Sequence, residues 1–410
     1  MKVNKLKFEL PELRAESWGD TKMELVCYVA SKPIGNPFQI LNRRVLDNVV
    51  FGKVSQIKSG CEHFLFASEG RLFALGSNMY GQAGLKGTVG IKTFFDPFAL
   101  DEDFTDEPIP IEFFSSAKEA TRSDYIVDIE CGNYHSVCLS KKGRVFNWGA
   151  NFLGHGRLEN TCQPLLVTLD EHIKAIKACG NATFAQTKTD RLFMWGCIPG
   201  LIQLNRTFLP KFNYCFSIPV ELRIPEIVHL GEFVCTDYGM SSFSVTNNLL
   251  TIHSIVPIKV LPYSAPNHFP INPAEFQIIN NDETGLLFRK YFYTRTSQFK
   301  CWFWSIQKTV PSPTQPYIFF VLTKESNVII IDTLSESIIV LDGLYADIVC
   351  SGNIFLLLHD DGKQVFLIAN VANQWQLKRI YECEQKCYAF SLSNSLMLGL
   401  FTTPFHETSP

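Results

Sequence analysis

Apolar and polar residues alternate with a period of two through much of this chain, in short runs broken by Gly, Asn, Asp or Pro. That pattern predicts β-hairpins rather than helices. Three windows repeat one phrase: IKSGCEHFLFASEGRLFALGSNMYGQAG (57–84), IECGNYHSVCLSKKGRVFNWGANFLGHG (129–156) and IKACGNATFAQTKTDRLFMWG (176–196). In each, an aliphatic residue (Ile57, Ile129, Ile176) precedes a Gly (Gly60, Gly132, Gly180). Alternating apolar residues follow: Phe64 and Phe66, Val137 and Leu139, then Phe184. A polar turn carries Gly70, Gly143 or Asp190, and a second strand ends at Gly76, Gly149 or Gly196. Gly and Asp suit such turns because they tolerate the left-handed backbone region. Gly132 and Gly149 are expected at positions that need positive φ.

The same spacing continues in weaker form. Val234, Thr236, Asp237, Met240, Asn248 and Ser254 follow it, as do Ile348, Cys350, Ser351, Ile354, Gly362 and Ile368. A last copy runs from Tyr381 through Cys383 and Cys387 to Ser395. YIFFVLTKESNVIIID (317–332) and LLFRKYFYTRTSQFKCWFWSI (286–306) read as two further hairpins, the second with Trp302 and Trp304 on one core-facing side. Fixed-spacing hairpins along a whole chain indicate one unit copied in space.

The two best copies resemble the repeats of the regulator of chromosome condensation (RCC) family. Its pattern is aliphatic-x-x-Cys-Gly-x-x-His, a Gly turn, Trp-Gly, then Asn-x-x-Gly-Gln-x-Gly. Cys131, Gly132 and His135 match the start; Trp148, Gly149, Asn151 and Gly154 match the end; Ser77, Asn78, Gly81, Gln82 and Gly84 match the tail in the first copy. Trp195 and Gly196 keep the Trp-Gly pair in the third copy, whereas Leu75 replaces Trp in the first, and Thr183, Met240 and Ile354 replace the His later. The resemblance implies an all-β propeller of about seven blades, a number of repeats that accounts for a chain of this length. It gives Gly60, Gly76, Gly132, His135, Gly143, Trp148, Gly149, Gly180, Trp195 and Gly196 structural roles. Residues 1–410 are then one domain. Met23–Ala30 looks like half a repeat, so strands from both termini are expected to close the ring and remove exposed edges.

Composition narrows the function. Hydrophobic residues make up 46% of the chain and charged residues 19%, enough apolar material for cores between blades. The net charge of −3, with no basic tail, argues against direct nucleic-acid binding. The first residues, MKVNKLKFELPELRAESW, do not read as a secretory leader. The longest apolar runs are strand-length, so no membrane insertion is expected. An intracellular soluble protein, cytoplasmic or nuclear, is expected, with its thirteen Cys as reduced thiols.

No catalytic constellation assembles: G-x-S-x-G, H-E-x-x-H and P-loop motifs do not occur. Cys131, His135 and Cys138 do not suit zinc, because positions 135 and 138 of a strand point to opposite faces. Cys383 and Cys387 have no second pair. No metal, cofactor or small-molecule substrate is expected. The unusual segments are 86–125, a long acidic and aromatic insertion, and 257–275, a Pro-rich inter-blade loop. Long loops on rigid scaffolds carry function. Asp101, Glu102, Asp103, Phe104, Asp106 and Glu107 therefore form the candidate partner-binding set, acids flanking an aromatic anchor. The expectation is a non-enzymatic protein–protein interaction scaffold or adaptor subunit of a larger assembly. The alternative, which the resemblance implies through the family's founding exchange factor, is guanine-nucleotide exchange on a small GTPase.

Overall fold

The structure, a computed structural model, describes residues 23–31, 39–45, 54–68, 71–85, 104–115, 124–150, 152–157, 159–204, 207–222, 233–236, 239–260, 272–275, 278–279, 291–303, 305–312, 317–351, 354–371, 374–382, 386–392 and 396–402. The chain opens with β1 (Met23–Ser31) and β2 (Gln39–Val45). A first meander is β3 (Val54–Ser59), β4 (His63–Ser68), β5 (Arg71–Ser77) and β6 (Phe104–Pro110); a second is β7 (Ile126–Cys131), β8 (His135–Ser140), β9 (Val145–Gly149) and β10 (Thr161–Val167). Next come β11 (Ile173–Cys179), β12 (Asn181–Thr187), β13 (Leu192–Leu204) and β14 (Thr207–Leu222). They are followed by β15 (Phe233–Thr236), β16 (Gly239–Thr246), β17 (Leu249–Val260), β18 (Asn272–Glu275), β19 (Ile278–Ile279) and β20 (Tyr291–Lys300). The C-terminal part holds β21 (Ile306–Pro311), β22 (Ile318–Thr323), β23 (Val328–Asp332), β24 (Ser337–Val340), then β25 (Tyr345–Ser351), β26 (Ile354–His359), β27 (Gln364–Val371) and β28 (Gln374–Glu382). It ends with β29 (Cys387–Leu392) and β30 (Leu396–Thr402). Glu112–Ser115 is the one helical turn among the described residues.

The fold is an all-β propeller, but its strands form six sheets rather than about seven blades. Four sheets are simple meanders, β3–β6, β7–β10, β21–β24 and β25–β28, and a fifth has the order β2-β1-β30-β29. The sixth has ten strands. It fuses two meanders because the long ends of β13 and β17 pair in parallel, Leu201–Gln203 against Ile258–Val260. The innermost strands β3, β7, β11, β15, β21, β25 and β29 contact one another in that order, and β29 lies against β3.

The alternation seen in sequence sorts side chains between two neighbours. Strands β4 and β8 are buried along their whole length. Cys138 packs toward Leu65, Leu72 and Ala74 of the preceding sheet, whereas Val137 and Leu139 pack toward Ile173, Ile176 and Trp195 of the following one. Phe320 and Leu322 likewise meet Phe355 and Leu357, and Leu356 and Leu358 meet Phe390 and Leu392. Each gap between sheets is thus a core of interdigitated apolar side chains, and its burial is the main stabilising term.

The turns take the backbone the spacing calls for. Asp190, Asn248, Gly143 and Gly362 have φ of 68°, 62°, 77° and 71°. Three expectations need correction. The described strands within 286–306 do not pair as a hairpin: β20 pairs with β17 and β18, and Ile306 begins an inner strand paired with β22. Trp302 is 53% exposed between those strands rather than in a core, and Trp304 lies outside the described residues. The insertion 86–125 supplies β6, the fourth strand of its own sheet, paired with β5. Of the Pro-rich stretch 257–275, residues 257–260 continue β17 and 272–275 form β18; 261–271 lie outside the described residues.

Candidate functional site

The repeat residues meet at the seams between sheets. His63 Nε2 lies 2.9 Å from Ser136 Oγ on β8, and His135 Nε2 lies 2.8 Å from Thr183 Oγ1 on β12. Ser136 donates its one hydroxyl proton to the Gln82 carbonyl at 2.8 Å, so His63 is the donor in its own bond. Backbone bonds run beside these: Cys61 N–H donates to the Asn133 carbonyl and Asn133 N–H to the Gly180 carbonyl. Burial lowers both imidazoles, His63 to about 3 with a further push from His135, and His135 to about 4. Both rings are neutral at pH 7.

Gly132 does not have the positive φ expected of it. Its Cα faces the His135 ring, and a Cβ there would sit 2.0 Å from Cε1 and 2.7 Å from the Gly180 carbonyl oxygen. The strand-end residue Gly149 does need glycine's backbone, with φ of 111°. Trp148 donates its indole N–H to the Gln82 carbonyl at 3.0 Å, and Gly84 lies against that ring. Gly154 lies against Trp195 in the same way, although it follows Gly149 by five residues whereas Gly84 follows Gly76 by eight. The second tail is shorter and brings no equivalent of the Gln82 carbonyl, and the Trp195 indole N–H finds no acceptor among the described residues.

Arg71, Arg144 and Arg191 begin the third strand of successive copies. Each stacks its guanidinium over the Phe two residues on: Phe73 at 5.6 Å, Phe146 at 5.3 Å and Phe193 at 4.8 Å. Residues two apart on a strand share a face, which permits the stack. Arg144 also pairs with the fully buried Asp124 carboxylate at 2.6 Å, and Arg191 reaches Asp170, Glu171 and Glu221.

The inner strands enclose a cavity of about 380 Å³ whose lining includes Lys58, Glu130, Lys177, Lys308 and Asp347. Lys58 pairs with Glu130 at 2.7 Å and Lys308 with Asp347 at 2.8 Å. Burial works to raise Glu130, but Lys58, Lys177 and Lys308 outweigh it and hold the carboxyl below its usual range. Glu130 in turn raises Lys58. Asp128 moves the other way, up to about 6, through burial and the neighbouring Glu130. The cavity therefore presents ion-paired charges of both signs. Sequence reasoning missed it, although Lys58, Glu130 and Lys177 directly follow the repeat residues Ile57, Ile129 and Ile176.

The candidate partner-binding residues are only partly in view. Asp101, Glu102 and Asp103 lie outside the described residues. Phe104, Asp106 and Glu107 lie on β6, the outermost strand of its sheet. Not every thiol is free, as had been expected: Cys197 and Cys215 form a disulfide, because they are directly opposed on β13 and β14 with Cα atoms 4.1 Å apart. Among the described residues no group of three His, Cys, Asp or Glu could hold a metal ion, and no helix is long and apolar enough to cross a membrane.

Comparison with known proteins gives a consistent picture. The Regulator of chromosome condensation (RCC1) repeat matches residues 69–139 and again 126–155. The E3 ubiquitin-protein ligase HERC2 of Homo sapiens is 28% identical over 151 residues, 35% of this chain and 3% of that protein. The chain spans less than a third of the curated relatives it matches. Among solved structures, yeast RCC1 (Prp20) bound to Kap60 is similar with a TM-score of 0.62 at 10% identity, over 99% of this chain and 96% of that one. Prp20p from Saccharomyces cerevisiae, reported with its binding properties to Gsp1p and histones, gives 0.58 at 10% identity over 95% and 93%.

Proposed function

We propose that this divergent member of the RCC1-repeat proteins is a non-enzymatic recognition scaffold, one ring that binds a protein partner through loops at its faces. The observation that carries this reading is where the repeated chemistry goes. His63, His135, Trp148 and Gln82 all hydrogen-bond at seams between sheets. Groups committed to seams build a rigid frame, and recognition falls to the loops that vary between copies. We infer that the sheet β2-β1-β30-β29 closes the ring. Supporting this, Ser59 Oγ donates to the Leu392 carbonyl at 2.9 Å and Ser391 Oγ donates to Ser59 Oγ at 2.6 Å, tying β3 to β29.

The acidic set Asp101, Glu102, Asp103, Phe104, Asp106 and Glu107 is the proposed contact with a basic partner surface. The test is affinity capture of the tagged chain at physiological salt, against a variant with the five acids changed to Asn or Gln. The variant is expected to melt like the native protein and to recover its partners at least tenfold less well. Unchanged recovery removes this segment from the contact.

Guanine-nucleotide exchange is the second reading, favoured by the fold likeness to Prp20p, reported with its binding properties to Gsp1p. It requires no nucleophile, only a surface that distorts a GTPase's phosphate-binding loops. A GTPase captured preferentially after a chelator strips its nucleotide, together with accelerated release of a fluorescent GDP, would establish it. Stoichiometric non-GTPase subunits would establish the scaffold. The ligase named in the human relative is not carried over, because this chain spans 3% of that protein.

A further inference from the structure

Six sheets must each manage an outer edge, because a strand with an unpaired row of N–H and C=O groups recruits other strands. Five of the six sheets carry the usual deterrents. β2 has Arg43 and Arg44, β6 has Asp106 and Pro108, β10 has Pro164, and β28 has Lys378 and Arg379; in the ten-stranded sheet the outer strand β14 has Pro210, Lys211 and Pro219, and β20, flanked by β18 at one end, has Arg295. β24 has neither charge nor proline: it reads Ser337, Ile338, Ile339, Val340 and, among the described residues, pairs with β23 alone. Its surroundings are unusually apolar. Leu334, Ile339, Val340 and Leu344 are 63%, 43%, 44% and 40% exposed, four of the ten large exposed hydrophobics among the described residues, within one short stretch.

The chain segment that carries this edge has charge of one sign. From Glu325 to Gly362 the sequence contains no Lys or Arg. Glu336 and Asp342, both exposed, bracket the strand at its two ends. That decides between occupants. A second copy pairing antiparallel would set Glu336 of one chain near Asp342 of the other at both ends, and like charges oppose such pairing. A strand with an apolar, β-branched centre and basic residues at both ends meets the apolar strip and both acids together.

We propose that β24 is a docking edge that adds an extended peptide as a further strand, the peptide having an apolar centre and Lys or Arg on each flank. Main-chain bonds along the open edge supply affinity, and Ile339, Val340 and the two acids supply selectivity. A six-residue contact would span roughly 20 Å of strand. The proposal rests on the protein-recognition reading but uses the rim rather than the faces. Its failure leaves capture through the face loops untouched.

The test is fluorescence anisotropy at 0.15 M salt with a labelled peptide, Ac-KRITVTVRK-amide, and its acidic counterpart, Ac-DEITVTVED-amide. The basic peptide is expected to bind saturably and at least tenfold more tightly than the acidic one. Ile339→Lys, which puts a charge on the edge, is expected to weaken it at least tenfold with an unchanged melting temperature. Should that variant fold poorly, the double variant Glu336→Lys with Asp342→Lys changes only exposed side chains and is expected to reverse the preference. No saturable binding, equal affinity for the two peptides, or a preference unmoved by the double variant overturns the proposal. So does a concentration-dependent dimer in sedimentation that Ile339→Lys abolishes, since that assigns the edge to a second copy.

Discussion

Two buried imidazoles make the seams sensitive to acid. His63 and His135 have pKa values of about 3 and about 4 in the folded chain, depressed from an ordinary 6.5 by burial. Their contribution is whole above pH 6.5. It is lost as pH falls toward the folded values, because the unfolded chain then binds protons the folded chain refuses. Each histidine should remove about 2 kcal/mol between pH 7 and pH 5, at a limiting slope near 1.4 kcal/mol per pH unit. Asp128 opposes them: its folded pKa of about 6 lies above its ordinary value, so acid relieves its penalty and offsets part of the loss. Urea unfolding at pH 7, 6 and 5 should show His135→Gln less stable at pH 7 but with a shallower acid slope, by about 1 kcal/mol per pH unit over that range. Parallel slopes in the two proteins would mean that His135 is not the group held neutral. The sequence marks both histidines through a shared repeat position. It does not show that Ser136 and Thr183 are their partners, since these belong to the next copy and become neighbours only when the sheets stack.

At the scale of the strand and its ends, two glycines at different points of the repeat carry different costs. Gly149 has φ of 111°, and a Cβ would stand 2.5 Å from the Tyr134 carbonyl oxygen and 2.7 Å from His135 Cα. Gly180 has φ of 58°, and a Cβ there would meet nothing within 4 Å. Gly149→Ala should therefore cost roughly 3 kcal/mol or more, from strain plus a backbone clash, whereas Gly180→Ala should cost about 1 kcal/mol of left-handed strain. Equal melting temperatures for the two would remove the clash with the neighbouring strand β8 from the account. Hairpin existence was legible because period-two alternation around a turn residue is local. Partner choice was not: Tyr291–Lys300 has the pattern of a hairpin's first strand, yet it pairs with β17, more than thirty residues back in the chain. The tail before Trp195 shows the same limit. Matching letters place Gly154 at the Gly81 position, but packing places it where Gly84 sits, against the next indole. The cavity charges were visible but silent, since a Lys after an Ile says nothing until the strands form a ring.

At the scale of the whole molecule, the proposed closure rests on the one sheet that pairs strands from both ends of the chain, β1 with β30. The propeller class followed from the repeats' resemblance to a known family, but the number of sheets did not, because the fusion through Leu201–Gln203 and Ile258–Val260 rests on strand extensions outside the repeat. The sheet of both termini has a sharper consequence. β1 lies between β2 and β30, with Met23 opposite Thr402 and Val29 opposite Leu396 along its length. Deleting residues 1–31 strips β30 of that partner and bares an edge rich in Leu and Phe, an aggregation hazard as well as a loss of pairing. Such a truncation should lose on the order of 5 kcal/mol, most of the margin by which a domain is folded. Deleting only residues 1–22 keeps β1 and its pairing with β30 and is expected to cost less than the longer truncation. A synthetic peptide of residues 21–33 added to the longer truncation should raise its melting temperature in a concentration-dependent way, as a ligand that binds only the folded state must. If the two truncations melt alike and the peptide has no effect, the ends do not hold the ring, and its integrity must rest on the seams of the remaining sheets alone.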